Sequence, residues 1–236
     1  MNRQGKIQGI SVLLPAWNEA DNLPGTIYKL SHLLDKQVEH FEIIVINDGS
    51  NDDTEKVLKK LSLEYRFLKW INLDENKGYG AAIRAGLSAA SEDFIFITDA
   101  DGQVDCSALP GLINEYEGWD LVIGYRPDRK DPFYRVLYGK LWNLLCRRLF
   151  KTDLRDVDCA FKLIRNGFLK NSVFQADGAM ISVELVSCIK KQQGIILEIP
   201  VNHFSRKYGK SSGGSLRVIF RAFKELTSLY PSLRSR

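Results

Sequence analysis

The segment Phe94-Ile95-Phe96-Ile97-Thr98-Asp99-Ala100-Asp101-Gly102-Gln103 ends an apolar run with two carboxylates and an amide at alternate positions. In a loop, side chains at 99, 101 and 103 can converge on one centre. Two carboxylates and an amide oxygen form a hard donor set suited to Mg2+ or Mn2+, with positions left for the oxygens of a diphosphate. Acidic turns are common in loops that bind nothing, so the weight of this one comes from its place. The apolar run before it reads as a buried strand, and open α/β sheets bind their ligands beyond the carboxyl ends of their strands.

Two further apolar runs end in the same way. Ile10 to Leu14 leads into Pro15-Ala16-Trp17-Asn18-Glu19, and Glu42 to Ile46 leads into Asn47-Asp48-Gly49-Ser50. Trp17 offers an aromatic face to a base or ribose, and Glu19 and Asp48 offer acceptors to ribose hydroxyls or a base N–H. Helix capping and turn formation are the alternative tasks for these two carboxylates. A fourth segment, Asn76 to Gly86 (NKGYGAAIRAG), places Lys77 and Gly78 in a glycine-rich turn that opens a helix of small residues. Such a turn allows close approach to a ligand, whereas Gly86 suits close packing on the sheet.

Positioning these residues takes alternating strands and helices. Ile10 to Leu14, Glu42 to Ile46, Phe67 to Ile71, Phe94 to Thr98 and Asp120 to Ile123 read as strands, nearly all apolar and therefore buried on both faces. Helices are predicted at about 19–35, 53–63, 80–90 and 107–117, with Asn18 and Asp21, then Ser50 and Asp53, as start signals for the first two. Beyond residue 125 the pattern gives a helix at about 133–151, a strand Cys159 to Ile164, a helix at about 180–192, a strand Ile195 to Val201 and a helix at about 215–229. This is an α/β pattern: a mostly parallel sheet flanked by helices, with a C-terminal amphipathic helix. With no linker or repeat, residues 1–236 read as one domain. It comprises a nucleotide- and metal-binding half (7–125), an acceptor-binding half (126–214) and a basic tail (215–236).

Composition agrees with a globular chain: 236 residues, 44% hydrophobic, 26% charged, net charge +4. Four cysteines without a CxxC spacing argue against a disulfide framework or structural zinc and fit a reducing compartment. No run of about 18 apolar residues occurs, so no transmembrane helix is expected, and the N-terminal region lacks the apolar stretch of a signal peptide. The modest charge hides an asymmetry. Residues 126–151 carry +6 and residues 203–236 carry +7, which leaves −9 on the remainder. Both basic segments also hold aromatic residues and leucine, a combination suited to phosphates or anionic lipid rather than nucleic acid.

Helical projection refines those segments. Lys140, Arg147, Arg148 and Lys151 cluster on one side of the 133–151 helix, whereas Arg135 lies on the apolar side with Gly139 and Trp142, where an arginine needs an anion. In the last helix Leu216, Ile219, Phe220, Phe223, Leu226 and Tyr230 form a stripe flanked by Arg217, Arg221 and Lys224. That division fits a helix lying at a lipid interface, and equally one docked on its own domain.

Together, LLPAWNEADNL, IVINDGSNDDT, NKGYGAAIRAG, FITDADGQ, IGYRPDRKD, RDVDCAFKLIRN, ADGAMISVEL and LEIPVNHFSRKYGKSSG resemble family 2 glycosyltransferases over about residues 8–215. The DADGQ form resembles the polyprenyl-phosphate sugar synthase branch, which includes dolichyl-phosphate mannose synthase. The resemblance implies a GT-A (Rossmann-like) fold, a divalent cation, a nucleotide-sugar donor and a polyprenyl phosphate acceptor. By that matching Pro15, Trp17, Glu19, Ile46 and Asp48 hold the nucleoside, and Lys77, Gly78, Asp99 and Ala100 complete the donor site. Asp99, Asp101 and Gln103 carry the metal. Arg126, Arg135 and Arg206 match phosphate-binding arginines, and Asp156 matches a family acidic residue that would orient Arg135 or Arg206 or approach the sugar. Three positions depart from the pattern: Asn47 for the first Asp of DDGS, Gly139 for a phosphate-binding Ser, and Ser212 for a frequent Lys.

The chemistry suits that acceptor. A phosphate monoester with a second pKa of about 6 is already ionised at neutral pH, so the site needs positive charge rather than a strong base. The expectation is an inverting transfer of a hexose, mannose from GDP-mannose or glucose from UDP-glucose, to a polyprenyl phosphate by a protein held peripherally at the cytoplasmic membrane face. Two rivals use the same fold: a nucleotidyltransferase making nucleotide sugars, and a non-catalytic nucleotide-binding membrane adaptor. The first predicts a glycine-rich phosphate loop after the first strand, where this chain has PAWNEA. The intact acid motif counts against the second.

Overall fold

The computed structural model describes residues 7–114, 116, 118–209 and 216–234. Their strands form one seven-stranded sheet: β1 (Gly9–Ala16), β2 (His40–Asp48), β3 (Leu68–Leu73), β4 (Phe94–Ile97), β5 (Leu121–Tyr125), β6 (Lys162–Arg165) and β7 (Ile196–Pro200), in the order β3-β2-β1-β4-β6-β5-β7. Helices α1 (Leu23–Leu34), α2 (Thr54–Glu64) and α4 (Leu109–Asn114) pack on one face. On the other lie α3 (Tyr79–Ala89), α5 (Phe133–Phe150), α6 (Met180–Lys191) and α7 (Leu216–Arg234).

The central strands are sandwiched between two cores. In β1, Val12 and Leu14 enter the core under α1 and α2, whereas Leu13 enters the core under α3 with Ile44 and Ile46. Burial on both faces explains why these strands show no polar alternation. Gly86 answers to the same packing, since a Cβ there would lie 2.8 Å from Ile46 Cδ1 and 3.1 Å from Leu13 Cδ1. β3 departs from the sequence expectation: on the sheet edge, only Leu68 of its six residues is buried.

Every strand runs in one direction except β6, which is antiparallel to both β4 and β5. The excursion through α5 carries the chain back to the carboxyl edge, so β6 enters the sheet where the others leave it. The loops after β1, β2, β4, β5 and β7 and the loop before β6 therefore share one edge.

Two start signals have other uses. α1 begins at Leu23 with Pro24 in its first turn, where a missing N–H costs nothing. Asn18, at φ 56°, donates its N–H to Ser50 Oγ (2.9 Å) and accepts the Asn51 N–H (2.8 Å). Asn18 and Ser50 thus bind two strand-end loops to each other instead of capping helices.

At the opposite end of the sheet, Glu42 joins three strands and a loop. It is buried and accepts hydrogen bonds from Ser11 Oγ (2.6 Å), Ser91 N–H (2.8 Å), Ser91 Oγ (2.8 Å) and Lys69 Nζ (2.6 Å). Burial pushes its pKa up, but these donors overcome that and hold the carboxyl below its ordinary value. Stability from such a group is present above the unfolded pKa and is lost as pH falls through the folded one. Glu42→Gln is expected to cost about 1–3 kcal/mol at pH 7. The gap to the native protein should narrow below about pH 4, as followed by urea unfolding at several pH values.

Candidate functional site

The carboxyl edge gathers the chemistry-bearing loops. In the first, Trp17 is half-buried with its indole Nε1 lacking a hydrogen-bond partner, and Glu19 is buried. Glu19 Oε2 accepts from Asn22 Nδ2 (2.6 Å), and Oε1 accepts from Arg206 Nη2 (2.5 Å). Desolvation keeps the Glu19 pKa above its ordinary value despite these donors.

In the second loop Asp48 is buried and takes the Lys77 N–H on Oδ1 (2.8 Å) and the Gly78 N–H on Oδ2 (2.9 Å). The sequence left Asp48 between ligand and turn chemistry. Its carboxylate shapes the Lys77–Gly78 turn and keeps further lone pairs for a ligand. Asn47, the departure from DDGS, bonds Asn72 Oδ1 (2.8 Å) and accepts the Ser50 N–H (3.2 Å). Ile46 differs from its neighbours, because its side chain is fully buried in the core under α3 and its backbone pairs within the sheet between Pro15 and Ile71. Pro15, half-buried, pairs in register with Ile46 across the β1–β2 ladder.

The acid loop follows β4. Desolvation first, and then the neighbouring Asp101 charge, push the Asp99 carboxyl up to about 7, partly offset by Arg126 and Lys162. Asp101 folds the loop by accepting the Gln103 N–H on Oδ1 (3.0 Å), with Gly102 at φ 68° making the turn. Ala100 is buried, and its carbonyl accepts from Thr26 Oγ1 (2.9 Å). Gln103 donates its side-chain amide to the Phe204 carbonyl (3.0 Å), leaving its amide oxygen as the donor atom for a cation.

Among the described residues, no group of three or more His, Cys, Asp or Glu is placed to hold a metal ion. The set here is two carboxylates and an amide. It fits a divalent cation on donor chemistry and charge: two desolvated acids in one loop are mutually unfavourable until a cation joins them. Arg206 now supplies that charge, with Nη1 3.1 Å from Asp101 Oδ2 while Nη2 holds Glu19.

The segment after β7 lies against the acid loop. His203 bridges Val104, the Phe204 N–H donates to the Gln103 carbonyl (2.7 Å), and Arg206 Nε donates to the Tyr208 carbonyl (2.6 Å). The Lys130 N–H donates to His203 Nδ1 (3.1 Å), which ties in the loop after β5.

The arginines have partners that sequence reasoning did not assign. Arg126 forms a two-pronged ion pair with Asp156, Nε to Oδ2 at 2.7 Å and Nη2 to Oδ1 at 3.0 Å, both side chains under 10% exposed. Asp156 therefore orients Arg126, not Arg135 or Arg206. Arg135 donates from Nη1 to Asp131 Oδ1 (2.8 Å), so the anion it needed is supplied by the residue four positions earlier. Asp131 also accepts from Arg129 Nε (3.1 Å) and Nη2 (2.8 Å). Arg129 belongs to the site's edge and was missed, although it lies in the IGYRPDRKD motif. Its remaining Nη1 fills the space beside Gly139, where a Cβ would stand 2.6 Å away, so the glycine that replaces serine makes room for a guanidinium.

Two buried groups beneath this layer were also missed. Lys162 is 1% exposed and donates to the Cys159 carbonyl (2.5 Å) and Ser182 Oγ (3.3 Å). Desolvation raises the Asp158 carboxyl to about 6, against the opposing pull of Lys162, and its Oδ1 has no hydrogen-bond partner. A lysine within an apolar strand was the available sequence signal. Nearby, the buried Glu184 is structural, accepting the Gln175 N–H (3.0 Å) and the Ala176 N–H (2.8 Å).

The C-terminal helix docks on the domain through Ala222, Leu226 and Leu229, all buried, and exposes Phe220 (73%) and Phe223 (49%). The single stripe expected from sequence is therefore divided. Ser212 and the side chains of Leu216, Arg217 and Ile219 lie outside the described residues. On α5 the side of Trp142 packs on the core together with Leu145, Cys146 and Leu149, whereas Phe133 (81% exposed) and Leu144 (59%) stand outward on the side of Lys140, Arg147 and Arg148.

Comparison with known proteins places this geometry. Residues 11–181 match the description Glycosyl transferase family 2. The chain is 30% identical over 225 residues to proteins named undecaprenyl-phosphate 4-deoxy-4-formamido-L-arabinose transferase from Salmonella choleraesuis and Salmonella newport, covering 94% of this chain and 68% of each relative. Among solved structures, glucosyl-3-phosphoglycerate synthase from Mycobacterium tuberculosis, in complex with Mn2+, uridine-diphosphate-glucose and phosphoglyceric acid, superposes with a TM-score of 0.70 at 21% identity. That match covers 96% of this chain and 80% of the other and establishes a shared GT-A fold. The chain belongs to glycosyl transferase family 2, on the branch of the polyprenyl-phosphate sugar transferases.

Proposed function

We propose that this glycosyltransferase moves a sugar from a nucleoside diphosphate to a polyprenyl phosphate at a membrane surface, with Mg2+ or Mn2+ held by Asp99, Asp101 and Gln103. The observation that carries this is Arg206, whose guanidinium spans Glu19 of the nucleoside loop and Asp101 of the acid loop. It stands where the nucleoside, metal and acceptor segments meet.

A bound cation would stabilise the departing diphosphate. The chain's own residues do the rest. Trp17, Glu19 and Asp48 hold the nucleoside, and Arg126, fixed by Asp156, presents its guanidinium to the acceptor phosphate with Arg135 and Arg206. Arg126 keeps Asp156 and has its Nη1 left for the phosphate, whereas Arg135 and Arg206 rest on carboxylates that an incoming anion can replace without moving cations from a distance. The acceptor phosphate is already ionised, so the transfer needs alignment and charge rather than proton abstraction.

The sugar is read as a hexose, mannose from GDP-mannose or glucose from UDP-glucose. The names of the 30% identical relatives favour a second reading, a 4-deoxy-4-formamido-L-arabinose donor. A screen of the three donors with Mn2+ and undecaprenyl phosphate in detergent, followed by lipid extraction, separates them. Transfer from none of the three would overturn the assignment.

Attachment to the membrane is read as peripheral and on the cytoplasmic face. Among the described residues no helix is long and apolar enough to cross a bilayer. The outward-facing Phe133, Leu137, Leu141 and Leu144 of α5, with Phe220 and Phe223 of α7, supply exposed apolar side chains suited to lipid. Replacing Phe133 and Phe220 together by Ser is expected to weaken binding to anionic vesicles at least tenfold, since each buried aromatic contributes about 1.5–3 kcal/mol. Unchanged co-flotation with vesicles would place the membrane surface elsewhere.

A further inference from the structure

We propose that Arg221 and Glu225 of α7 are positioning residues for the donor nucleotide. They hold the Lys77–Gly78 peptide against Asp48. The proposal rests on the reading of Asp48, Lys77 and Gly78 as part of the donor site.

The geometry centres on one peptide unit. The Gly78 N–H donates to Asp48 Oδ2 (2.9 Å), and the Lys77 carbonyl of the same unit accepts from Arg221 Nη1 (2.9 Å). In a trans peptide the C=O and N–H point in opposite directions. The plane is therefore clamped between a carboxylate of β2 and a guanidinium of α7. The Lys77 N–H adds a second bond to Asp48 Oδ1 (2.8 Å). Gly78, at φ 107°, is what lets α7 come so close: a Cβ there would lie 2.3 Å from Arg221 Nη1 and 2.5 Å from the Asp177 carbonyl oxygen.

Glu225 sets where Arg221 stands. One turn further along α7, its Oε1 accepts the Asp177 N–H (3.1 Å) and the Gly178 N–H (2.8 Å). The Asp177 carbonyl accepts the Gly80 N–H (2.8 Å) and the Ala81 N–H (3.3 Å), and the Asp177 carboxylate pairs with Arg84. The 177–178 turn is thus a spacer that joins α7 to the first turn of α3, directly after the clamped peptide. Two side chains of one helix, four residues apart, grip the donor turn and its support.

The clamp gives α7 a task that a lipid-seeking helix would not need. Asp48 can present free lone pairs to a nucleoside only while its two backbone donors stay in place, and Arg221 keeps one of them from rotating away.

The test is nucleotide affinity on the full chain, with UDP and GDP each titrated calorimetrically in the presence of Mn2+. Arg221→Ala is expected to weaken the nucleotide that the native protein binds by about five- to tenfold, the effect of losing a partly exposed charged hydrogen bond. The donor KM should rise by the same factor, with kcat and acceptor KM within about twofold. Arg221→Lys, which keeps one donor, should recover most of the affinity, Glu225→Gln should fall between, and Thr227→Ala on the same helix should change nothing. A merely structural role would instead lower Tm and kcat through loss of active molecules while the affinity of the remainder stays native. That result, or native affinity in Arg221→Ala, overturns the positioning role. Failure of the native protein to bind either nucleotide overturns the donor-site reading beneath it.

Discussion

Asp101→Asn is expected to lower sugar transfer by roughly a thousandfold, about 4 kcal/mol of lost transition-state stabilisation, while the protein keeps its fold. The expectation follows from the two jobs of this carboxylate. Oδ1 accepts the Gln103 N–H and shapes the loop, a task an asparagine oxygen can perform. Oδ2 faces Arg206 and, in the proposed function, would carry the charge that holds a divalent cation. Asn therefore retains the turn and removes the charge. Initial rates at saturating Mn2+, read beside thermal melting, decide the matter. Activity within tenfold of native at an unchanged Tm would sink the metal assignment of Asp99, Asp101 and Gln103. Asp101→Ala should be equally inactive and somewhat less stable, because it also leaves the Gln103 N–H unpaired.

The second large effect concerns the Arg126–Asp156 pair. Both side chains are under 10% exposed and joined by two hydrogen bonds, and removal of one partner leaves an uncompensated buried charge. Asp156→Ala is expected to cost about 3–5 kcal/mol and lower Tm by roughly 10 °C, with transfer lost because Arg126 is no longer aimed. Burial pushes the Asp156 pKa up, but the Arg126 hydrogen bonds and charge more than offset it, and the carboxyl titrates below its ordinary value. The stability it supplies is therefore present above about pH 4 and is lost as pH falls further. The double replacement Arg126→Met with Asp156→Leu separates structure from chemistry. Stability should return toward native, since apolar pairs can replace buried ion pairs, whereas turnover should not. A double variant with native turnover would show that Arg126 never meets the phosphate.

Much of this arrangement was legible in the order of residues. The apolar runs around Leu13, Ile44 and Phe96 announced a doubly covered parallel sheet, because strands buried on both faces need no polar alternation. The polar residues that end those runs had to emerge at a common edge, so Trp17, Asp48, Asp99 and Asp101 could be grouped before any contact was known. The helix boundaries followed less closely. Asn18 and Ser50 have the composition of caps, yet their hydrogen bonds go to each other's loops, and a local signal cannot tell a cap from a cross-link.

Pairing was where the sequence ran out. Asp156 was visible as an acidic residue before an apolar strand, but not that it belongs to Arg126, thirty residues away and outside any helical or strand periodicity. The position of Arg135 on the apolar side of its helix calls for an anion, and the sequence alone points to a bound phosphate. The partner it has, Asp131, lies just before the helix, where the projection does not reach. Arg221 looked like one cation in a surface stripe until its bond to the Lys77 carbonyl, 144 residues distant, set it apart from Lys224. The residues alone determined the sheet, the edge and the kinds of chemistry assembled there, because hydrophobic periodicity and strand ends are local properties. Only the tertiary structure decided which charge faces which, because a hydrogen bond depends on distances of a few tenths of an ångström between segments that the chain order leaves far apart.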